Sequence, residues 1–363
     1  MKAWQFYSLE DWRLEEVPIP SPGQGEVLLR VKVVQASITH VAILQGAPSQ
    51  RADHLKKILA ERGPLRLFGN EFSGEVVEVG KGVTRFKPGD RVARRTGGIP
   101  CGRCALCLSG QEERCRSGPS VGFDLPGCFS EYGTVSEKAI VKIPDTISFQ
   151  AGACIQPLGS PLGAVIAAQL AISDTVAILG TGNMGFNTLQ LARMSGAGKI
   201  YVTARRKQIT DLALQLGADE AINVTEKDPV KAILELTDGL GADVVFECAA
   251  GNPAQGLSGR ETIDQALAVV RNGGKIVIVS AYHGTLDYDV LTVKMRGVKL
   301  LPPVGLTRRE GEHIVYLLSK GYIKVEPLIT HAVHGLEKLP EAVKITGNKR
   351  EYGAILPCQV IVD

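Results

Sequence analysis

No apolar run in this chain is long enough to cross a bilayer. The longest, around Gly163 to Ile172, falls well short of the about 20 residues a spanning helix needs. The opening MKAWQFYSLEDW lacks the apolar centre of a secretory leader, so the cytoplasm is the expected compartment. Charge of one sign is also missing. Lys and Arg number 41 against 38 Asp and Glu, and a net +3 is too small for a nucleic-acid binder. There is no low-complexity tract and no internal repeat. The remaining composition, 44% hydrophobic and 22% charged, is that of a globular protein, and 363 residues make room for two domains.

Cysteine is unevenly spread. Cys128, Cys154, Cys248 and Cys358 are scattered, whereas Cys101, Cys104, Cys107 and Cys115 crowd into PCGRCALCLSGQEERC as C-x2-C-x2-C-x7-C. Without a secretion signal, such crowding favours metal over disulfides. Four thiolates on one loop can close a tetrahedral zinc shell with no open position, which makes the expected site structural. The common ferredoxin runs also use four cysteines, but with a different final spacing.

The stretch VAILGTGNMGFNTLQLARMSGAGKIYVTARR carries the main functional signal. An apolar strand, Val176 to Leu179, meets a G-x-G-x-x-G turn and then a helical pattern, followed by a second strand, Lys199 to Thr203. In that context Gly180 makes the turn, Gly182 admits a pyrophosphate, and Gly185 lets helix and strand pack closely, with Asn183 and Met184 opening the helix. The second strand ends Thr203-Ala204-Arg205-Arg206-Lys207, with no carboxylate to bind a ribose 2′-hydroxyl. A guanidinium can instead hold a 2′-phosphate, so NADP(H) is expected on Thr203, Arg205 and Arg206.

Periodicity divides the chain. Residues 1–156 are β-rich, with alternation over Glu26–Val33 and Gly74–Gly80 and a Pro88-Gly89-Asp90 turn before Arg91–Ala93. Within them, RADHLKKILAERG predicts a short helix with Leu55, Ile58 and Leu59 on one face. Residues 157–300 alternate strand and helix, which implies a doubly wound parallel sheet: an α/β fold beside a β-rich domain. Residues 301–363 lean towards β and are expected to complete the first domain, with the active cleft between the two.

Taken together, these motifs resemble the medium-chain dehydrogenase/reductase superfamily of zinc-containing alcohol and polyol dehydrogenases. The likeness runs nearly the full length and includes Pro88-Gly89-Asp90, the cysteine lobe at about 95–116, GTGNMG and Pro327-Leu328-Ile329-Thr330-His331. It implies a GroES-like catalytic domain, a Rossmann domain, and a homodimer or homotetramer. It also implies a catalytic zinc, whose ligand positions fall on Ser37, Asn70 and Gln156. None of these supplies a thiolate, imidazole or carboxylate. His40 stands where many members carry an acidic residue supporting a ligand, and only Glu71 of the G-H-E stretch remains. One structural zinc and no catalytic zinc are therefore expected. A rearranged site of His40, Glu71 and Cys154 is the alternative.

Without a Lewis acid, the hydride acceptor must be conjugated or polarised by hydrogen bonds. Thr39 matches the family's relay hydroxyl, and His40, with an ordinary pKa of about 6.5, is the nearby general acid. Ser37, Asn70, Glu71 and Gln156 would line a pocket for a small-molecule substrate, or fill the old metal site as a hydrogen-bonded cluster. Three functions fit: an NADPH-dependent reductase of an activated C=C or C=O; an NADP-dependent alcohol or polyol dehydrogenase; and an NADPH-binding sensor without turnover. Tyr282 and His283, after the fifth strand, are further candidate contacts. His331, His334, Cys248, Trp4, Trp12 and Phe6 read as surface or packing residues.

Overall fold

The computed structural model describes residues 1–47, 49–251, 258–282, 285 and 289–362. The chain forms two compact units, Met1–Pro157 with Gly305–Asp363, and Leu158–Val304. No helix among the described residues is long and apolar enough to cross a membrane.

In chain order the strands of the first unit are β1 (Lys2–Phe6), β2 (Trp12–Glu16), β3 (Glu26–Gln35), β4 (Phe72–Val79), β5 (Arg91–Arg94), β6 (Tyr132–Ser136) and β7 (Ile140–Lys142). The second unit holds β8 (Thr175–Leu179), β9 (Lys199–Ala204), β10 (Glu220–Asn223), β11 (Ala242–Glu247), β12 (Val270–Ile278) and β13 (Lys299–Leu301). The chain then returns to the first unit with β14 (Ala332–His334) and β15 (Gln359–Ile361).

In the first unit β3 is the organising strand. It pairs antiparallel with β4, β6 and β15 within a sheet ordered β14-β15-β3-β4-β5-β7. Its inward residues Val27, Leu29, Val31 and Val34 pack with Phe6, Phe68, Phe72 and Phe129 in one core. Trp4, Phe6 and Trp12 belong to that core or its edge, and the Trp4 indole donates to the Leu336 carbonyl at 2.9 Å. Two helices follow β3: α1 (Ile38–Leu44) and α2 (Gln50–Arg62). The predicted helix is thus α2, with Leu55 and Leu59 buried and Ile58 packed beside them.

The second unit is a six-stranded parallel sheet ordered β10-β9-β8-β11-β12-β13. Its central strands β8 and β11 are apolar on both faces because helices cover both, as a parallel sheet requires. β13 continues this sheet, so the unit runs to Val304 rather than ending at 300.

The β-leaning character expected of 301–363 is corrected. Arg308–Ser319 and Leu339–Gly347 are helices. His313-Ile314-Val315-Tyr316-Leu317-Leu318 looks like a strand by composition. However, Thr307 and Glu310 form a reciprocal capping box that starts a helix, which buries Gly311, Ile314, Val315 and Leu317 on one face.

Candidate active site

The glycine turn has the geometry a dinucleotide needs. Gly180, at φ +93°, leaves β8 in the left-handed region, and a side chain there would strike Ala249. A Cβ on Gly185 would lie 2.0 Å from the Gly180 carbonyl oxygen, whereas one on Gly182 would meet nothing within 4 Å among the described residues. The first and third glycines are therefore demanded by packing and the second by an open space, the division expected of a pyrophosphate cradle. Helix Asn183–Met194 starts at this space with Gly182 as its cap. As a glycine, the cap places no side chain on the first N–H groups, and Met184 lies in the first turn.

Thr203 locks the turn. Its hydroxyl accepts from Gly180 N at 2.9 Å, and its carbonyl accepts from the Thr181 hydroxyl at 2.7 Å. Beyond it Arg205 is exposed, and Arg206 caps the following helix, Lys207–Gln215. Glu247, absent from the sequence-derived candidates, is fully buried at the end of β11. Its carboxylate accepts from Ala249 N, Ala250 N and the Thr262 hydroxyl, each at 2.7 Å, and from the Ser280 hydroxyl. It thereby ties the segment that abuts Gly180 to the end of β12. Cys248 is half-buried rather than a core residue, and Tyr282 is half-buried as well. His283 lies outside the described residues.

In the first unit, Ser37 caps α1, its hydroxyl accepting from His40 N at 3.4 Å. Capping leaves Thr39 exposed and turns His40 inward, where it is 1% exposed. The His40 ring packs against Phe68, Phe123 and Phe129 at centroid distances of 4.9, 5.7 and 5.8 Å. Burial pushes its pKa down to about 3. Asn70 lies beside it and favours the charged ring, but among the described residues neither ring nitrogen makes a hydrogen bond of normal geometry. The expected imidazolium acid is thus corrected: His40 is a neutral imidazole at physiological pH.

Phe68 sets this geometry. It and Gly69 both adopt positive φ, +63° and +64°, and the Phe68 N–H donates to the Gly122 carbonyl at 2.6 Å. A side chain on Gly127 would overlap the Phe68 carbonyl oxygen. The 122–127 loop therefore grips a strained turn that delivers Asn70 and Glu71, and strain held by its surroundings is typical of functional sites.

Glu71 does not face an open pocket. It accepts from the Gln35 side-chain amide at 2.8 Å, and Gln35 accepts in turn from Gln359 at 2.9 Å. β15 pairs Gln359 with Gln35 across the sheet, which brings the two amides together. Cys154 joins them, its thiol donating to the Gln35 side-chain oxygen at 3.4 Å. Burial raises Glu71 to about 7, although the Gln35 bond and Lys349 oppose the shift. The glutamines were missed from sequence because their partners lie far away in the chain. Gln156 is half-buried, with no side-chain hydrogen bond among the described residues.

The two metal positions differ. The Cys104 sulfur lies 3.5 Å from that of Cys107 and 3.8 Å from that of Cys115, and Cys101 lies 3.9 Å from Cys107. A tetrahedral shell with Zn–S of about 2.3 Å has edges of about 3.8 Å, so the four sulfurs fit zinc. The Cys101 N–H, 3.4 Å from the Cys115 sulfur, helps pull that thiol down to about 6. At Ser37, Asn70 and Gln156 the donors are a hydroxyl and two amides, which do not fit zinc. Among the described residues, the four cysteines are the only group of three or more His, Cys, Asp or Glu donors arranged to hold an ion. His40, Glu71 and Cys154 are not gathered into one.

Comparison with known proteins fits this architecture. Residues 23–145 match the alcohol dehydrogenase GroES-like domain, and 184–319 match the zinc-binding dehydrogenase family. L-threonine 3-dehydrogenase from Pyrococcus horikoshii is 32% identical over 351 residues, covering 95% of this chain and 94% of that protein. The Bacillus licheniformis protein of the same name is 34% identical over 323 residues, 87% of each chain. A zinc-binding dehydrogenase from Sinorhizobium meliloti, solved with NADP, superposes with a TM-score of 0.84 at 28% identity, covering 99% of this chain and 98% of that one. The (2R,3R)-butanediol dehydrogenase of Bacillus subtilis gives 0.83 at 26% identity, covering 100% and 99%. With a GroES-like unit, a parallel nucleotide-binding unit and these relatives, the chain belongs to the zinc-dependent alcohol dehydrogenase-like branch of the medium-chain dehydrogenase/reductase superfamily and is an NAD(P)-dependent oxidoreductase.

Proposed function

We propose that this enzyme is an NADPH-dependent reductase of an activated C=C or C=O that works without a catalytic zinc. The observation that carries it is that Ser37, Asn70 and Gln156 offer only a hydroxyl and two amides, while the Glu71 carboxylate is already engaged by Gln35. NADPH, when bound, supplies the hydride. Arg205 and Arg206 favour its 2′-phosphate, and the Thr203-locked turn presents helix N–H groups to the pyrophosphate.

With no metal to polarise the acceptor, hydrogen-bond donors must stabilise the developing oxyanion. Thr39, exposed on α1, is the donor, and neutral His40 fixes the helix beneath it through its aromatic packing. Asn70, on the strained turn, orients the acceptor. Conjugated carbonyls suit such a site because charge leaves the attacked carbon for an oxygen that Thr39 can reach by hydrogen bonding. The assembly is a homodimer or homotetramer. Leu291 and Met295, exposed on helix Val290–Arg296, and Leu300, exposed on the edge strand β13, support that reading.

A second reading is favoured by the relatives, which are named for oxidation of a hydroxyl: an NADP-dependent alcohol, polyol or hydroxy-amino-acid dehydrogenase. The test is a two-sided panel. Consumption of NADPH with alkenals and enones supports the reductase. NADP⁺ reduction by polyols or threonine, without enone turnover, replaces it with the dehydrogenase.

A further inference from the structure

Helix α2 carries a cation where helix energetics does not favour one. Arg51 is its second residue, in the first turn, where the helix dipole opposes positive charge. Asp53 in the same turn offsets part of that field, yet Arg51 forms no ion pair among the described residues. Asp124, on the loop that packs against α2, is paired with His54 at 3.0 Å instead.

Arg51 is held by Phe123. Its guanidinium carbon stands 4.6 Å from the ring centroid. Stacking fixes the plane of a guanidinium but leaves the N–H groups on its edge free for a ligand. Phe123 also packs on His40 and, edge-on, on Phe68 at 5.9 Å. One ring beyond the cation, therefore, lie the two His40 nitrogens and the Asn70 side-chain oxygen, all buried and unpartnered among the described residues. Burial of Leu55 and Leu59 anchors α2 and keeps Arg51 in place.

We infer that Arg51 is a specificity-determining residue whose exposed guanidinium binds an anionic oxygen group, carboxylate or phosphate, at the end of the substrate remote from the reacting carbon. This rests on Thr39 and Asn70 belonging to the substrate pocket. It accounts for an unpaired cation kept at a helix start and braced by an aromatic ring against the candidate site.

The test uses matched ketones that differ in one charged group, with binding to the NADP⁺-loaded enzyme measured by calorimetry. The pairs are 4-oxopentanoate against its methyl ester, and dihydroxyacetone phosphate against dihydroxyacetone. The enzyme is expected to bind the anionic member of at least one pair about tenfold or more tightly. Which pair shows the gap separates carboxylate from phosphate. Arg51→Gln should abolish the gap and Arg51→Lys should keep part of it. Lys57→Gln, the same charge change on an exposed face of α2, should leave it intact. Equal binding within both pairs, no binding of either anion, or a gap that survives Arg51→Gln would overturn the inference. Turnover of the matched unsaturated acid and ester with NADPH reports separately on the reductase: a binding gap without turnover keeps Arg51 and removes the reductase, and turnover without a gap does the reverse.

Discussion

Gln35 and Glu71 are bonded twice. The Gln35 side-chain amide donates to the Glu71 carboxylate at 2.8 Å, and the Gln35 backbone N–H donates to the Glu71 carbonyl at the same distance. The pair joins the end of β3 to the turn that carries Asn70, so the chemistry of Glu71 is coupled to the shape of the site.

That coupling gives a pH signature. Burial raises Glu71 from 4.5 to about 7 in the folded state, so its contribution to stability is complete below 4.5 and is lost as pH rises through 7. His40 acts in the opposite sense. Lowered from 6.5 to about 3, it contributes above 6.5 and loses its contribution as pH falls through 3. In Glu71→Gln the first slope should vanish. Urea unfolding at pH 5 and pH 7.5 should show the variant losing less stability over that interval than the wild type, by on the order of 3 kcal/mol at most. Identical slopes would mean that Glu71 ionises normally.

Cofactor choice should follow the cations after β9. Replacing Arg205 and Arg206 by Ala should weaken NADPH binding by about 10- to 100-fold while changing NADH binding little. Fluorescence titration of both nucleotides decides it, and equal losses for the two would remove these residues from 2′-phosphate recognition.

The glycines of the turn should respond differently. Gly185→Ala places a methyl group 2.0 Å from the Gly180 oxygen and should cost about 2 kcal/mol or more in stability. Gly182→Ala meets no atom of the described residues within 4 Å, so melting of the free enzyme should hardly change while NADPH binding is lost. Thermal melts with and without NADPH would distinguish the two variants, and matching melts without it would argue against this division of roles.

Thr39→Ala should lower kcat by about 100-fold with NADPH affinity unchanged, as expected for a lost oxyanion donor. The pH–rate profile of the wild type should contain no limb from His40 near 6.5, because that ring is already neutral there. Such a limb, abolished by His40→Phe, would restore the imidazolium acid.

Much of this was legible in sequence where the signal is local. Gly180, Gly182 and Gly185 declared their context through flanking strand and helix, and the cysteine spacing declared a closed thiolate cluster. α2 was visible as Leu55, Ile58 and Leu59 on one face. What escaped was set by contacts between distant segments. The Gln35–Gln359 pair exists only because β15 lies beside β3, and neither glutamine stands in a motif. His40 looked like an acid because it ends the Ser37–His40 stretch beside Thr39 and has an ordinary pKa of about 6.5. The rings that neutralise it, from Phe68, Phe123 and Phe129, converge through the fold. The helix at Arg308–Ser319 was hidden for a different reason: its apolar residues run together, and only the Thr307–Glu310 cap marks where it starts.

The claim on which the mechanism stands is that hydride transfer proceeds without a metal at Ser37, Asn70 and Gln156. Zinc per chain, measured by mass spectrometry on enzyme that is turning over NADPH after loosely bound metal is removed, tests it most directly. One equivalent, lost together with the cluster in Cys104→Ser but not required at the acceptor, is the predicted result. Two equivalents, with activity following the second, would contradict it.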